Sequence, residues 1–467
     1  MLQALPQRFF RREDGALTAF GLFLVIAMII IGGLGIDVAN AVMTRTHLQV
    51  AADSAAHAAI VAREHRTEDQ AKAIAVNVAE ASLPDFRYGD TILPSDIEFG
   101  TWDPLTGFTA VAGSDQAVRV STQRLAARNN GMGTFFLRFV GLWTMDIRTS
   151  SVFETYYPTC LREGFVAEDR IDVQSGNHYT DGFCIHSNSH VELNNNNVLD
   201  AGVIVSMPNK ADVVVPNSNN NTGLDRALRS GSYQPRIVQR IDDIIAGFDD
   251  PSSDYFRSDY LSNPIRTNVL APNVTLEDAN WETGEIHEFD CGTLVSLSNV
   301  THTMGSNSNN GNGGGSSGGG STGGGNNRVS IKGGSTLVGG VIYTDCELNI
   351  GQNATLEDVL IVSTNASVAA ITGQANVTLG RDDGCAPGGG TQIITKGGVH
   401  FTSGLSAYGA QIVAEKIIDF EANANGVEGV SFISGTEIDS TSNMNMGFCN
   451  GAGLENRFEA EYFRLAN

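Results

Sequence analysis

The sequence predicts a mainly β protein carried on an N-terminal transmembrane helix: a long anchor and stalk helix, a small α+β domain, and then a right-handed parallel β-solenoid. Two observations point to this class. Residues 16–36 form an apolar run without a charged side chain or a proline. After Cys160, short β-like pieces separated by turns rich in Asn, Gly, Ser and Asp recur at spacings of about twenty residues, as expected for stacked coils that cover one another's apolar faces.

The apolar run 16–36 is long enough to span a bilayer, because a helix rises about 1.5 Å per residue and the hydrocarbon core is about 30 Å thick. No cleavage site follows it, so we expect an uncleaved anchor. Three arginines lie in the preceding residues 1–15 and Asp37 follows the run. This charge bias predicts a cytoplasmic tail (residues 1–15) and an extracytoplasmic remainder. A buried helix of a soluble protein is the alternative.

The stretch Glu13–Ala62 combines a glycine before the apolar run, an aspartate at its outer end, an arginine, a Leu-Gln pair and an Ala-Ala-Asp-x-Ala-Ala run. These positions are Gly15, Asp37, Arg45, Leu48, Gln49, Ala51, Ala52, Asp53, Ala55 and Ala56. With them, the stretch resembles the N-terminal segment of TadG-like (TadE/TadG) proteins of the tight-adherence, or Flp, pilus. The resemblance implies a single-pass protein of the bacterial inner membrane that contacts the bilayer and other pilus-assembly or pilin subunits through this helix.

The alanines beyond the anchor recur at helical spacing, and small side chains let another backbone approach closely. We therefore expect a docking face for helices of other subunits. The face would lie on a helical stalk over residues 37–83, ending before Pro84. A plain membrane anchor with a helical stalk explains the same periodicity and stays open.

Residues 84–158 predict a small α+β domain whose role is packing. IEFGTWDPLTGFTAV alternates on both sides of a turn at DPLTG and indicates a hairpin. AVRVSTQ and TMDIRTSSVFE indicate two further strands, and TFFLRFVGLW indicates a short apolar helix.

Residues 159–467 are predicted to form the solenoid. Segments such as AGVIVSMPNKADVVV and EGVSFISGTEIDS share a small or acidic residue, an apolar run, a polar turn and a second strand. The asparagine run 194–197 would lie at a turn, where Asn tolerates left-handed backbone and can stack between coils. A β-sandwich is the competing architecture.

Two stretches interrupt the repeats. Residues 222–262 contain isoleucines at helical spacing and predict an inserted amphipathic helix lying on the solenoid. Residues 305–327 are rich in Gly, Ser and Asn and predict a loop that cannot bury a core. At the C-terminal end, ENRFEAEYFRL predicts a helix that covers the last coil.

Charge and cysteine content exclude some classes of protein. The net charge of −23 argues against nucleic acid as a partner, which would need clustered Lys and Arg. An even number of cysteines on the extracytoplasmic side favours disulfides, and sequential pairing is expected because short loops close most readily. The expected pairs are Cys160 with Cys184, Cys291 with Cys346, and Cys385 with Cys449. No Cys/His spacing predicts a metal site.

Adjacent aspartates are the strongest hint of an active site, because a glycosidase needs two carboxyl groups across one groove. The pairs are Asp242/Asp243, Asp249/Asp250 and Asp382/Asp383. Such pairs are common in the turns of an acidic chain, so we expect no catalytic residue, no enzyme activity and no cofactor; calcium at these turns stays an alternative. The scattered histidines are interpreted as surface residues. They are His178, His186, His190 and His400.

Three functions remain. The leading hypothesis is a membrane-anchored component of a Tad/Flp-type pilus, minor pilin-like or an assembly protein, whose solenoid contacts other subunits or a surface without catalysis. The second is a surface adhesin or ligand-binding module, for a glycan for example, on a TadG-like anchor. The third is a membrane-tethered polysaccharide-active enzyme.

Overall fold

A computed structural model describes residues 14–216, 220–262, 268–270, 273–292, 328–421, 426–440 and 442–466. The chain divides into two compact units, unit one (residues 1–156 with 461–467) and unit two (residues 157–460). The described residues are mostly β, with a long apolar helix at the N-terminal end and parallel sheets in unit two. Most of the predicted tail 1–15 and all of the predicted loop 305–327 lie outside the described residues.

Unit one begins with helix α1, Asp14–Arg63, which joins the predicted anchor and stalk into one element of 50 residues. Helix α2, Glu68–Ser82, starts at a capping box in which Thr67 and Gln70 satisfy each other's backbone N–H groups. The single turn α3, Asp85–Tyr88, follows Pro84. Alanines on α2 pack against alanines on α1, because small side chains let two helices lie close together.

The sheet of unit one contains the predicted hairpin and the two predicted strands. Its strands are β1 Ile97–Asp103, β2 Gly107–Ala110, β3 Ala117–Arg124 and, after the short pair β4 Met132–Gly133 and β5 Thr144–Met145, β6 Ile147–Tyr156. All neighbouring strands pair antiparallel in the order β2-β1-β3-β6. The predicted apolar helix is wrong in extent: its central residues, Leu137–Val140, form only a 3-10 turn between β4 and β5.

Unit two begins with the helical turn α4, Thr159–Arg162, and contains two parallel sheets. The nine-stranded sheet, counted over the described residues, consists of β8 Arg170–Val173, β11 His190–Leu193, β16 Thr275–Leu276, β18 Arg328–Ile331, β20 Glu347–Ile350, β22 Ile371–Gly373, β25 Val399–Ser403, β28 Ile418–Glu421 and β31 Ile438–Ser440.

The 17-stranded sheet, on the same count, consists of β7 Gly164–Ala167, β9 His178–Tyr179, β10 Cys184–Ser187, β12 Val198–Leu199, β13 Ile204–Met207, β14 Leu228–Ser230, β15 Asn268–Leu270, β17 Ile286–Phe289, β19 Thr336–Thr344, β21 Thr355–Ser363, β23 Thr378–Leu379, β24 Gln392–Thr395, β26 Ser406–Tyr408, β27 Gln411–Ala414, β29 Val427–Glu428, β30 Ser431–Ser434 and β32 Asn445–Gly447.

Successive circuits of the chain repeat the same strands in register. Cys184 of β10 pairs with Gly164 of β7 and with Ile204 of β13, 20 residues away on each side. In the nine-stranded sheet, Ile171 pairs with Val191. Inward-pointing residues of both sheets share one apolar core.

The first strands of unit two pair with its last strands. β8 lies between β11 and β31, and β7 lies between β10 and β30. The longest strands of the large sheet therefore form one continuous series of paired strands, with β14 at one end and β15 at the other. A segment must connect the two ends, and residues 231–267 occupy that place in the sequence.

Part of this connection covers the outer face of the large sheet, and we call residues 236–262 the strap. The sequence predicted one amphipathic helix here, whereas the structure has three short ones, α5 Leu224–Ala227, α6 Arg236–Gln239 and α7 Ile241–Gly247. The strap contains α6 and α7, which separate at Arg240 because α6 forms tight bonds between residues three apart. Its buried side chains, including Ile244 and Phe248, pack on outward residues of the sheet.

The C-terminal segment is a strand and not the predicted helix. β33, Tyr462–Leu465, pairs antiparallel with β6 and completes the sheet of unit one. The apolar residues of this segment do not share one helix face. Phe458 is buried in the core of unit two, whereas Tyr462 belongs to unit one. Unit two is thus inserted in the chain between two paired strands of unit one.

Three disulfides brace unit two. They join Cys160 to Cys184, Cys291 to Cys346, and Cys385 to Cys449, with Cα–Cα distances of 4.8, 5.3 and 5.7 Å, within the usual range. This is the sequential pairing expected from loop closure.

Candidate functional site at the N-terminal helix

The first half of α1 exposes its apolar side chains. Leu17, Phe20, Phe23 and Ile31 are all more than half exposed. Among the described residues, α1 is the one helix long and apolar enough to cross a membrane. An apolar surface without cover in its own chain is unfavourable in water, so this half of α1 is consistent with a single-pass membrane anchor.

Asp37, directly after the apolar run, binds a loop of unit one. Its carboxylate accepts hydrogen bonds from the backbone N–H groups of Phe135, Phe136 and Leu137, at 2.6, 2.9 and 2.7 Å. One helical turn earlier, Gly33 lies against the Phe136 side chain, and a Cβ atom at position 33 would collide with it. Asp37 and Gly33 therefore fix this loop to the helix.

The alanine face of α1 is covered by its own chain. Leu48, Ala52, Ala55 and Ala56 are fully buried. The alanine face packs against α2 and against β3 and β6. The expectation that these alanines dock helices of other subunits is corrected by this packing, because their small volume is already used for close contact inside unit one.

Two other motif residues line a polar cleft of about 490 Å³. Gln49 donates to the Asp53 carboxylate at 2.8 Å and to the Ser150 carbonyl at 3.2 Å. Arg45 and Arg148 face the same cleft, and no residue in the described part of the chain pairs with either guanidinium. The cleft is also lined by Asp96 and Glu98, whose carboxylates pair with Arg128 and Arg119. Arg45 and Arg148 are therefore the unpaired charges of its lining among the described residues.

Gly15, the remaining motif residue, lies in the first turn of α1, where side chains are not described. The structure therefore distributes the motif among three roles: Asp37 holds a loop, the alanines form core, and Arg45 with Gln49 lines a cleft. Arg148 and the loop at Phe135 were missed by sequence reasoning. The aromatic run TFFLRFVGLW is a visible signal for the loop, although its pattern predicts a short apolar helix.

The aspartate pairs are engaged in local contacts. Asp242 contacts Lys396, and Asp243 pairs with Arg240 at 3.4 Å. Asp250 accepts from the Ser252 backbone N–H, as in an ordinary turn. Asp383 likewise accepts from the backbone N–H of Ala386 and from Arg381, both at 2.9 Å. One member of each pair, and both members of the first, thus has an ion-pair or hydrogen-bond partner within the described residues.

His186 is buried, so its interpretation as a surface residue is wrong. Its Nδ1 atom lies 2.8 Å from Ser206 Oγ and its Nε2 atom 3.0 Å from Asn188 Oδ1. Burial lowers the pKa of His186 to about 4, although the contact with Asn188 acts in the opposite direction, and the ring is neutral at pH 7. The Ser–His–Asn order resembles a nucleophile with its base, but Ser206 is covered by Tyr233 of the connection, and we interpret the group as a buried hydrogen-bond network.

Two other histidines and two cysteine pairs lie close to carboxylates in the described residues. His178 and His400 lie on the surface beside Asp200 and Asp419. Two groups place a carboxylate near a pair of cysteines, Cys291 with Cys346 and Cys385 with Cys449. Their sulfurs are joined in disulfides, which removes the thiolates that a metal would need.

Comparison with known families covers nearly the whole chain. The model of TadE/G-like Flp pilus-assembly proteins matches residues 15–64, and that of Tad-like Flp pilus-assembly proteins matches residues 54–152. A domain of unknown function, DUF7867, matches residues 164–310 and 322–450. No curated protein and no solved structure matches the chain. The chain therefore belongs to the DUF7867 family and is a TadG-like protein, with Tad-type sequence over residues 15–152.

Proposed function

We propose that this protein is a membrane-anchored component of a Tad/Flp-type pilus, minor pilin-like or an assembly protein, that acts by binding and without catalysis. The observation that carries the proposal is the unbroken Tad-type match over residues 15–152, which includes the exposed apolar helix. The N-terminal tail would lie in the cytoplasm, and unit two would lie outside the cytoplasm, where its three disulfides are stable.

Unit two, in this proposal, is a right-handed parallel β-solenoid that contacts other subunits or a surface. Its support is the register of successive circuits and the core shared by both sheets. A stacked-coil body is rigid and presents long lateral faces, which suits a projecting binding element.

The cleft at Arg45 is the proposed contact site for another pilus component. The alanine face cannot serve, because the chain covers it. Arg45 and Arg148 line a polar cleft without a partner in the described residues, so an acidic side chain of another subunit is the ligand that we expect there.

A deletion strain complemented with variants tests the proposal. Loss of the chain should reduce the number of Flp pili seen by electron microscopy and reduce surface attachment, and the wild-type chain should restore both. Arg45→Glu with Arg148→Glu should fail to restore them because the cleft then repels a carboxylate. Arg66→Glu with Arg87→Glu, which makes the same change of net charge at two other exposed positions of unit one, is the matched control and should restore both.

Normal pili and normal attachment in the deletion strain would contradict the proposal. Normal pili with lost attachment would favour the adhesin instead. Membrane levels of each variant are measured by immunoblot, so that a loss of pili through degradation is recognised.

A further inference from the structure

The loop between β4 and β5 exposes an unusual number of large apolar side chains. We call residues 134–143 the aromatic loop. Phe139 is 78 % exposed and Trp143 is 68 % exposed, and Phe135, Val140 and Leu142 are each more than half exposed. Such a patch is rare on a surface that faces water and marks a contact with a membrane or another molecule.

The aromatic loop lies at the level where the apolar half of α1 ends. Met132 and Met145, on the strands that carry it, belong to the core of unit one, and Ala41 is the α1 residue of this core nearest the apolar half of the helix. From there the loop extends toward the membrane end of α1 and reaches Asp37 and Gly33. Eight residues of helix separate Ala41 from Gly33, about 12 Å along the axis. The loop therefore reaches the last turn of the apolar run.

The composition of the aromatic loop fits the interface between lipid and water. Trp is favoured there because its rings are apolar while its indole N–H can reach water, and the exposed Phe rings of the loop add apolar surface that lipid can cover. Arg138, the charged residue of the loop, bonds the Phe135 carbonyl and can direct its guanidinium toward headgroups. Asp37 satisfies three backbone N–H groups of the loop, which removes a cost of placing irregular backbone next to lipid.

We propose that the aromatic loop inserts into the bilayer leaflet that faces unit one, as a second membrane contact beside the helix. Asp37 and Gly33 hold the loop at the correct height, so the depth of unit one above the bilayer is fixed at two points. This inference rests on the proposed membrane anchoring. A lipid surface is the expected occupant because the loop is continuous with the lipid-facing half of α1.

Quenching of Trp143 by brominated lipid tests the inference. The full-length protein is reconstituted in phosphatidylcholine vesicles whose acyl chains carry bromine near the carbonyl end, and in vesicles without bromine. The emission of Trp143 is the difference between wild type and Trp143→Phe, a change that an exposed side chain tolerates. We expect that emission to be lost in the brominated vesicles. Trp102→Phe, which removes a tryptophan on β1, should retain the loss and serves as the control.

The two ways to fail are distinguishable. Integrated protein, resistant to carbonate extraction, whose Trp143 emission is the same in both kinds of vesicle would overturn the inference and leave the pilus proposal standing. Protein that carbonate washes from the vesicles would overturn the membrane anchor and the inference together.

Discussion

The two parallel sheets of unit two carry equivalent outward rows with opposite chemistry. Across the large sheet, in-register partners form an apolar row that is buried. The row is Val166, Ile433, Val413, Ile394, Val362 and Tyr343. Across the nine-stranded sheet, the corresponding partners are charged or polar. That row is Glu192, Asp172, Asp439, Asp419, His400 and Thr372.

The difference follows from what covers each sheet. The strap lies on the large sheet and turns its outer face into a second core, with Ile244 and Phe248 buried against the row. The row of the nine-stranded sheet stays accessible, and Arg170 pairs with Asp439 at 2.8 Å and with Asp172 at 3.6 Å. Whether the outward side chains of a strand are apolar or charged thus depends on whether another segment covers that face of the sheet.

The largest effect is expected from removing the cover. Phe248 is fully buried and its ring lies 5.3 Å from that of Tyr343. Phe248→Ala should lower the free energy of unfolding of unit two by about 3–5 kcal/mol, because it removes a large buried ring and leaves a cavity. Urea unfolding of the full chain in detergent measures it. Val368→Ala, at an exposed position, should change stability by less than about 0.5 kcal/mol; equal effects would contradict a packed strap.

The second largest loss of stability is expected from a substitution in the turn between the two sheets. Asn177 and Asn197 are fully buried; the Asn197 side chain accepts from the Asn177 backbone N–H and donates to the Asn194 carbonyl, both at 2.9 Å. Asn197→Ala should cost roughly 1–3 kcal/mol for each group left unpaired. The control is Asn196→Gly, an exposed residue with φ of 62°, where glycine fits without strain. If both variants unfold at the wild-type urea concentration, the hydrogen bonds of the Asn197 side chain do not stabilise the turn between the two sheets.

The smallest effect concerns the charged row. Burial and the Glu192 carboxylate raise the pKa of Asp172, while Arg170 opposes them. A raised pKa means that the folded state binds this proton more tightly than the unfolded state, so stability falls as pH rises through the folded pKa. Asp172→Asn should therefore be as stable as wild type below the ordinary pKa of 3.8 and more stable at pH 7, by less than about 1 kcal/mol. Thermal unfolding at pH 3.5 and pH 7 measures this, and a variant less stable at pH 7 would contradict it.

Local pattern was sufficient for several elements. The anchor, the first hairpin and the alternation in β8 and β11 follow from residues a few positions apart. Asn196 at a left-handed position, and Asn197 in a ladder, match the turn chemistry expected for the run 194–197. The C-terminal segment was misinterpreted, because an unpaired edge of β6 converts it into a strand whatever its own apolar spacing.

The candidate site was predictable as a list of residues but not as an arrangement. The motif indicated that Asp37, Arg45 and the alanines matter. It did not indicate that the alanines would be covered, or that Arg45 would share a cleft with Arg148. Helical spacing shows that small side chains share a face, and any close neighbour, from the same chain or another, satisfies that pattern equally.

By itself, the sequence determined the membrane-length helix, the period of two in the strands and the positions of the cysteines, since each depends on short-range chemistry. Only the tertiary structure decided which faces are covered and which distant segments meet. The strap covers the large sheet, the first strands of unit two pair with its last strands, and Asp37 binds the aromatic loop. These depend on contacts between residues far apart, such as the 98 positions between Asp37 and Phe135. Periodicity says which side of an element is apolar, and only the path of the whole chain says what that side meets.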